Sequence, residues 1–455
     1  LLLACSIVKG QESTVGTVSG DQDYSKTVFN GFIRGGFYSW TDKNDDKLYV
    51  SSAFSDFALK LQTSNKIVFR AYADVRFRYG SEFLKPVSRI DIREAFISIS
   101  GKKWDLSAGQ KIVKWGRCDF TNPVSRLSAL DMISRSPDRE DMDLGNLLAD
   151  FKWLPSGVIS FQAVAIPFYR PSVLLIDPVP LPENITVSQI NSLITDKKMF
   201  SYGLRANLFL PGFDGSISWF EGYDPMPGIL LSDFSLNLSE PVPSIIVGLA
   251  MKPYRIRMTG IDFETTVGQA GIRGEAAWLI PELSFKTYEY IPMPEIKWAA
   301  GIDWTEGNWR FTGEYNGKYI TDFQPAEADP VIGTEPDYSK LASLLTIPGF
   351  DIREYVRKQV GAFNRLYNYQ IKQTCHSAGI RIEAELLYGK LLPSVFSLFN
   401  FTYHDLLIIP ELKIKPSDGL TVAVGAEIYS GAKASLYDLV NDFMNGFYVS
   451  LRVDF

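Results

Sequence analysis

The side chains of this sequence that could do chemistry are charged, and they recur on every second residue. Arg70, Arg76 and Arg78 share one parity of a segment spanning 66–79, and Arg93 and Lys111 take the polar side of the next two segments. Between 117 and 146 the chain gathers Asp119, Asp131, Asp138, Glu140, Asp141 and Asp143, interleaved with Arg117, Arg126, Arg135 and Arg139. A basic ladder facing carboxylates across a narrow aqueous space creates a transverse field, which orients dipolar solutes and disfavours apolar ones. The same charges could equally pair with neighbours such as Asp74, Asp91 and Glu94 and only brace the chain. A second set is mixed in sign: Arg273, Glu275, Asp303, Arg310, Glu314, Lys318, Arg381, Glu383, Glu385, Glu411, Lys413, Glu427 and Arg452. Mixed signs on neighbouring segments predict cross-strand ion pairs and weak overall ion selectivity.

Catalysis is poorly served. His376 and His404 are the only two histidines. His404 precedes Asp405 at a hairpin tip, but adjacent residues of a strand point opposite ways and no serine is placed to use them as a triad. The sequence has no phosphate loop, no Cys/His metal spacing and no nucleotide fingerprint, so no enzyme activity, metal or cofactor is expected. With 46 Lys+Arg against 52 Asp+Glu and a net charge of −6, it has no basic stripe for nucleic acid.

The elements that must carry these charges are strands. At the C-terminus Phe447, Val449, Leu451, Val453 and Phe455 alternate with Tyr448, Ser450, Arg452 and Asp454. The same period of two runs through 66–79, 295–305, 308–319, 380–386 and 420–428. A soluble sandwich would alternate similarly, but these segments reach about 10–14 residues, longer than the usual soluble strand. Trp40, Trp104, Trp115, Trp153, Trp304 and Trp309 lie near segment ends, as aromatic girdles require. Short turns at 63–66, 101–103, 155–157, 211–214, 267–270, 305–308, 390–394 and 415–419 alternate with mostly longer loops at 41–46, 81–88, 117–146, 170–198, 224–251, 283–294, 323–373, 403–405 and 431–445. This pattern predicts an all-β fold: a transmembrane antiparallel up-and-down β-barrel of about 18 strands (16–18), with short periplasmic turns and long extracellular loops. Loop 224–251 could hide an extra pair, and a surface helix is expected around 351–372. The composition agrees: 46 % hydrophobic residues spread without an apolar run long enough for a membrane helix.

Residues 1–10, Leu-Leu-Leu-Ala-Cys-Ser-Ile-Val-Lys-Gly, read as the remnant of a signal peptide cut before Gln11. A lipoprotein box ending at Cys5 is the alternative. Residues 11–26 are then a periplasmic segment too short for a folded plug, and 27–455 form one barrel.

Arg93-Glu-Ala95 and the run Gly109, Gln110, Ile112, Val113, Trp115, Gly116, Asp119, Asn122, Pro123 resemble a two-strand pattern of porin-like outer-membrane proteins of Gram-negative bacteria. Ile166-Pro-Phe-Tyr-Arg-Pro-Ser172 and Gly222-Tyr-Asp-Pro225 look like the Bacteroidetes branch. That family is largely uncharacterised, so the resemblance implies fold and outer-membrane location but no substrate. By resemblance to general porins, 117–146 takes the place of the constriction loop. Cys118 and Cys375, both assigned to the outer ends of strands, would tie that loop to the far wall if they formed a disulfide; two separate thiols are the alternative. The expected function is passive or facilitated diffusion of small polar solutes. A channel for hydrophobic molecules with lateral release, shielded by the apolar loops 170–198 and 224–251, stays open, as does a structural or assembly subunit. The expected partners are outer-membrane lipid and lipopolysaccharide and a small-molecule solute, with a homo-oligomer or a complex partner undecided.

Overall fold

The computed structural model describes residues 26–455 except 42–46, 66–67, 177, 180, 182, 191–192, 238–243, 333–342 and 345. The signal peptide, the lipid box at Cys5 and all but the last residue of segment 11–26 therefore lie outside the described residues.

Eighteen strands form one sheet. They are β1 Lys26–Thr41, β2 Leu48–Asn65, β3 Phe69–Glu82, β4 Lys85–Ser100, β5 Trp104–Lys111, β6 Asn146–Trp153, β7 Ile159–Ile166, β8 Ser201–Leu210 and β9 Phe213–Tyr223. The second half comprises β10 Arg255–Val267, β11 Ala270–Pro281, β12 Glu295–Glu306, β13 Trp309–Ile320, β14 Thr374–Ala384, β15 Leu391–Asn400, β16 Asp405–Ser417, β17 Leu420–Ser430 and β18 Gly446–Asp454. Each pairs antiparallel with its neighbour in the chain. β18 closes on β1 in a register from Phe32↔Asp454 to Tyr38↔Tyr448, with Gly31 and Phe455 exchanging backbone hydrogen bonds of 2.9 and 3.0 Å beyond it. Closure leaves no sheet edge, which is what a strand-built structure needs if it is to sit in hydrocarbon.

The alternation read from the sequence sets which face each residue takes. Along β1, Phe29, Ile33 and Phe37 stand outward at 53–65 % exposure, while Phe32, Arg34 and Tyr38 are buried inside. Trp104, Trp153, Trp304 and Trp309 are exposed around the short-turn end, as girdle residues. Trp115 is not one of them: it is 1 % exposed and lies inside the barrel, because the chain has left the wall before reaching it.

The eight short connections gather at one end and the nine others at the opposite end. One expected loop, 81–88, is only the two-residue turn Phe83-Leu84, both left-handed (φ 47° and 64°). Two-residue hairpins demand this conformation and normally use Asn-Gly. Phe83 holds its place because its ring packs edge-on against Phe443 at 6.1 Å and under the Arg135 guanidinium at 5.4 Å. Loop 224–254 does contain a hairpin, Gly228–Asn237 with Ser244–Lys252, joined in parallel by Ile185–Ser188. This small sheet stands apart from the wall.

The helix expected on the surface is instead part of a cap. Helix α1, Ile352–Tyr367, buries Val356, Val360, Phe363 and Leu366, and helix α2, Leu436–Met444, buries Leu436, Tyr437 and Val440. With Leu174, Ile229, Leu249 and Tyr403 they form one apolar core over the long-loop mouth. Two side-chain amides pin it. Asn364 accepts from the Ile229 N–H (2.8 Å) and donates to its C=O (2.7 Å), and Gln370 does the same to Met293 (2.8 and 2.9 Å). Backbone groups that no neighbouring strand reaches, on the free edge of the hairpin at Ile229 and in the loop at Met293, are thereby satisfied.

Leu84 is 67 % exposed, so Leu84→Gly removes a left-handed penalty without costing packing. We expect a gain of about 1 kcal/mol, read as a higher urea midpoint for unfolding in detergent.

Candidate functional site: the lumen and the loop that crosses it

The connection from β5 to β6, residues 112–145, turns into the lumen. It leaves the wall five residues earlier than the sequence suggests. Gly109 and Gly116 allow this, at φ 132° and 96°. At Gly116 a Cβ would also lie 2.6 Å from the Glu275 carboxylate, so both conformation and space require glycine there. The first limb carries Val113, Trp115, Val124 and Leu127, all buried against the inward-facing Val164, Phe220, Met258 and Ala277. The Trp115 indole N–H donates to Gln162 Oε1 at 3.1 Å.

This limb is held through its backbone by two glutamates of a wall of mixed charge. Glu314 on β13 accepts from the N–H groups of Asp119 (2.7 Å), Phe120 (2.8 Å) and Thr121 (2.9 Å). Glu275 on β11 accepts from the N–H of Cys118 (3.0 Å) and of Val124 (3.4 Å). Arg117 reaches Asp262 at 2.7 Å, and Asp119 pairs with Arg273.

The second limb is held by a basic wall with the polarity reversed. Asp138 takes the N-cap position of a short turn, Arg139–Met142, and Asp141 lies within it. Asp141 takes Arg76 at 2.6 Å, Arg34 at 2.7 Å and Arg93 at 3.0 Å. Asp138 takes Lys413 at 2.9 Å, Arg452 at 3.0 Å and Arg34 at 3.3 Å. Two carboxylates thus gather five cations from β1, β3, β4, β16 and β18. Arg34 and Arg452 are direct partners across the closing seam. Like charges so placed repel, and Asp138 sits on both. Burial pushes the Asp141 carboxyl up, but the three guanidiniums outweigh it and hold its pKa well below the usual aspartate value. Asp138 is lowered in the same way, burial being outweighed chiefly by Lys413 and Arg34. Asp119 and Asp143 go the other way: burial raises them despite single partners, Arg273 and Lys114.

Above the first limb lies a cavity of about 190 Å³, lined among others by Lys114, Arg126, Glu295, Lys297 and Asn316. A smaller one of about 60 Å³ sits inside the apolar cap, between Leu174, Ile229, Phe363 and Val440.

The expected ladder is therefore in place but largely neutralised. Arg76 also pairs with Asp74 (3.2 Å), Arg78 with Asp56 (2.5 Å) and Glu82, and Lys111 with Asp150 (2.8 Å). Arg70 alone stands exposed, near the short-turn end. Of the loop carboxylates, Asp131 accepts from Ile133 and Ser134 N–H and pairs with Arg89 (3.3 Å), Asp143 pairs with Lys114 (2.5 Å), and Glu140 is exposed, its C=O accepting from Arg93. On the opposite wall Arg273 and Arg310 share Asp303, and Arg381 lies beside Glu383 at 4.0 Å with its guanidinium over Phe396. Glu385 is not on the wall: β14 has ended, and the side chain is exposed in turn 385–390.

The disulfide is absent. Cys118 and Cys375 are free and buried. Cys118 belongs to the inward loop, against Glu275, whereas Cys375 on β14 accepts from Asn400 Nδ2 at 3.2 Å. Burial raises the pKa of the Cys118 thiol, which keeps it protonated and unreactive. Sequence reasoning missed Arg34, Asp56, Asp262 and Arg205. The signal was there for Arg34, in the alternation Phe29, Ile33, Phe37 against Phe32, Arg34, Tyr38. Among the described residues no group of three or more His, Cys, Asp or Glu is placed to hold a metal ion.

A closed, antiparallel 18-stranded barrel with a long loop folded inward defines a porin-like architecture. Solved structures agree on the fold. OpdK of Pseudomonas aeruginosa is similar with a TM-score of 0.53 at 9 % identity, covering 94 % of this chain and 98 % of that one. OccK3 (OpdO) of the same organism gives 0.52 at 9 % identity over 94 % and 95 %. OccAB1 of Acinetobacter baumannii gives 0.50 at 7 % identity over 94 % and 95 %. No protein-family model and no curated protein sequence matches the chain.

Asp141→Asn leaves three guanidiniums facing the lumen with one charge fewer among them. The loop tip should be destabilised by about 3 kcal/mol. Single-channel conductance should rise and shift toward anions; an unchanged current and reversal potential would show that the tip does not govern the lumen. Because both aspartates are lowered, their hold is complete above the unfolded value of about 3.9 and is lost as pH falls through the lower folded value. The hold of Asp138 and Asp141 on the loop tip should therefore stay level from neutral pH to about 4.5 and weaken only in stronger acid, read as protease susceptibility of the tip across that range.

Proposed function

We propose that this chain is an outer-membrane channel for the diffusion of small polar solutes, with the inward loop setting what passes. The observation that supports this best is the loop's double attachment: one limb is hydrogen-bonded to two wall glutamates, the other ion-paired to five wall cations. An 18-stranded barrel is too wide to be filled by its own wall side chains, so whatever crosses the lumen decides its use. Here a loop crosses it, bringing charge of both signs to opposite walls. A polar, charge-lined passage favours hydrated, dipolar solutes. The similar structure of OpdK was determined with vanillate, a small organic solute. The fold of the neighbours and the outward apolar coat with its Trp girdle support an outer-membrane location.

Purified protein in a planar bilayer should give discrete small conductance steps with weak ion selectivity, because the charges of each wall are largely balanced. Absence of open-channel steps at any voltage would overturn the channel reading.

A further inference from the structure

We propose that the outer rim of β12–β16 is a seat for one phosphorylated glycolipid of the outer leaflet, of the lipopolysaccharide type, held through Lys372, His376 and His404. The inference rests on the outer-membrane reading above. Both histidines of the chain lie on the outer surface at the long-loop end, on neighbouring strand ends. His376 is on β14, its Nδ1 hydrogen-bonded to the Tyr315 hydroxyl at 2.6 Å and its ring edge-on to Trp298 at 6.2 Å. Nε2 is the nitrogen left to meet a ligand. His404 ends the turn 401–404, exposed and left-handed (φ 57°), a conformation that a non-glycine residue holds only at a cost. Its ring leans on Phe399, 6.5 Å between centroids.

Thr402 ties the three groups into one patch. The exposed Lys372 ammonium donates to the Thr402 C=O at 2.9 Å, and the His376 N–H donates to its hydroxyl at 2.9 Å. Among the described residues no carboxylate takes the outward face at this end of β12–β16; Glu306 of β12 has the outward parity but lies at the short-turn end. The acidic residues of β13–β16, Glu314, Glu383, Asp405 and Glu411, take the inward parity, as do Glu295 and Asp303 of β12. Asp405, next to His404, is buried and receives the Tyr369 hydroxyl at 3.1 Å. Asp322, exposed at the same end, is paired with Lys286 at 3.0 Å.

Below the patch the outward surface is apolar and shaped. Ala300, Tyr315, Ala378 and Phe399 are lateral neighbours, so two small residues lie beside bulky rings. Gly313 continues the low ground, with Ile302, Ile380 and Val395 exposed around it. A cationic and imidazole rim above a grooved apolar wall fits phosphate at the rim and acyl chains beneath. Tyr319, which accepts from Gln373 at 3.1 Å, and the ring of Trp298 suit sugar hydroxyls and sugar faces, which a glycolipid has and a simple phospholipid lacks.

The full-length protein, extracted in mild detergent, is examined by native mass spectrometry, then titrated with purified deep-rough lipopolysaccharide, its enzymatically dephosphorylated form, and phosphatidylglycerol. The wild type should retain one phosphorylated glycolipid. The double variant K372E/H404A changes only exposed positions and should bind it roughly tenfold more weakly. K103E, exposed at the opposite rim, should bind as the wild type does. Equal binding by the double variant, equal binding of the dephosphorylated lipid or of phosphatidylglycerol, or no glycolipid on the wild type would each overturn the proposal. Conductance, recorded on the same preparations in a lipopolysaccharide-free bilayer, tests the channel reading separately and should not differ between these variants.

Discussion

Every backbone N–H and C=O of a strand must find a partner, and hydrocarbon offers none. That constraint governs this molecule. It requires the sheet to close, and closure at eighteen strands encloses a lumen wider than wall side chains can fill. The inward loop then faces a smaller version of the same problem. Its own backbone must be satisfied away from bulk water, and Glu275 and Glu314 do this by accepting five of its N–H groups. A glutamate side chain suits this task because its two oxygens offer several lone pairs, so one residue can accept from two or three N–H groups.

The two limbs use opposite currencies of attachment. The first offers N–H donors to Glu275 and Glu314 on β11 and β13; the second offers carboxylates to cations on β1, β3, β4, β16 and β18. The mixed charges noted between 117 and 146 thus make physical sense as a bridge, and the apolar residues between them seal the first limb to the wall. The cap above adds a conventional hydrophobic core, so the long-loop end resembles a soluble domain stitched onto a membrane barrel.

Much of this was legible from residue spacing. Period-two alternation identified strands and their inward faces, and the alternation of short and long connections gave the eighteen-stranded count. The Gly109–Pro123 motif points to a porin-like fold, but the sequence starts the inward loop at 117, whereas the chain leaves the wall after Lys111. What escaped was whatever depends on contacts between distant segments. Trp115 looks like a girdle residue, but the chain leaves the wall after Lys111 and carries it inside. Phe83-Leu84 has none of the usual turn chemistry; packing against α2 and Arg135 holds it, together with N–H bonds to Ser52 Oγ and the Ser51 C=O. Glu385 keeps the inward parity but lies one residue past the end of its strand. Cys118 and Cys375 looked like a bridge because the sequence placed both at strand ends, whereas one of them is inside the lumen. The helix at 352–367 is amphipathic either way, and nothing local says that its apolar face meets a cap.

Asp138 bonds Arg34 on the first strand and Arg452 on the last, two cations that face each other directly across the seam. Its set of partners is complete only when the two ends of the sheet have met. One carboxylate of the contents thus fastens the first strand to the last from inside, so the seam is held by its backbone ladder and by a side-chain clasp that the ladder alone would not supply.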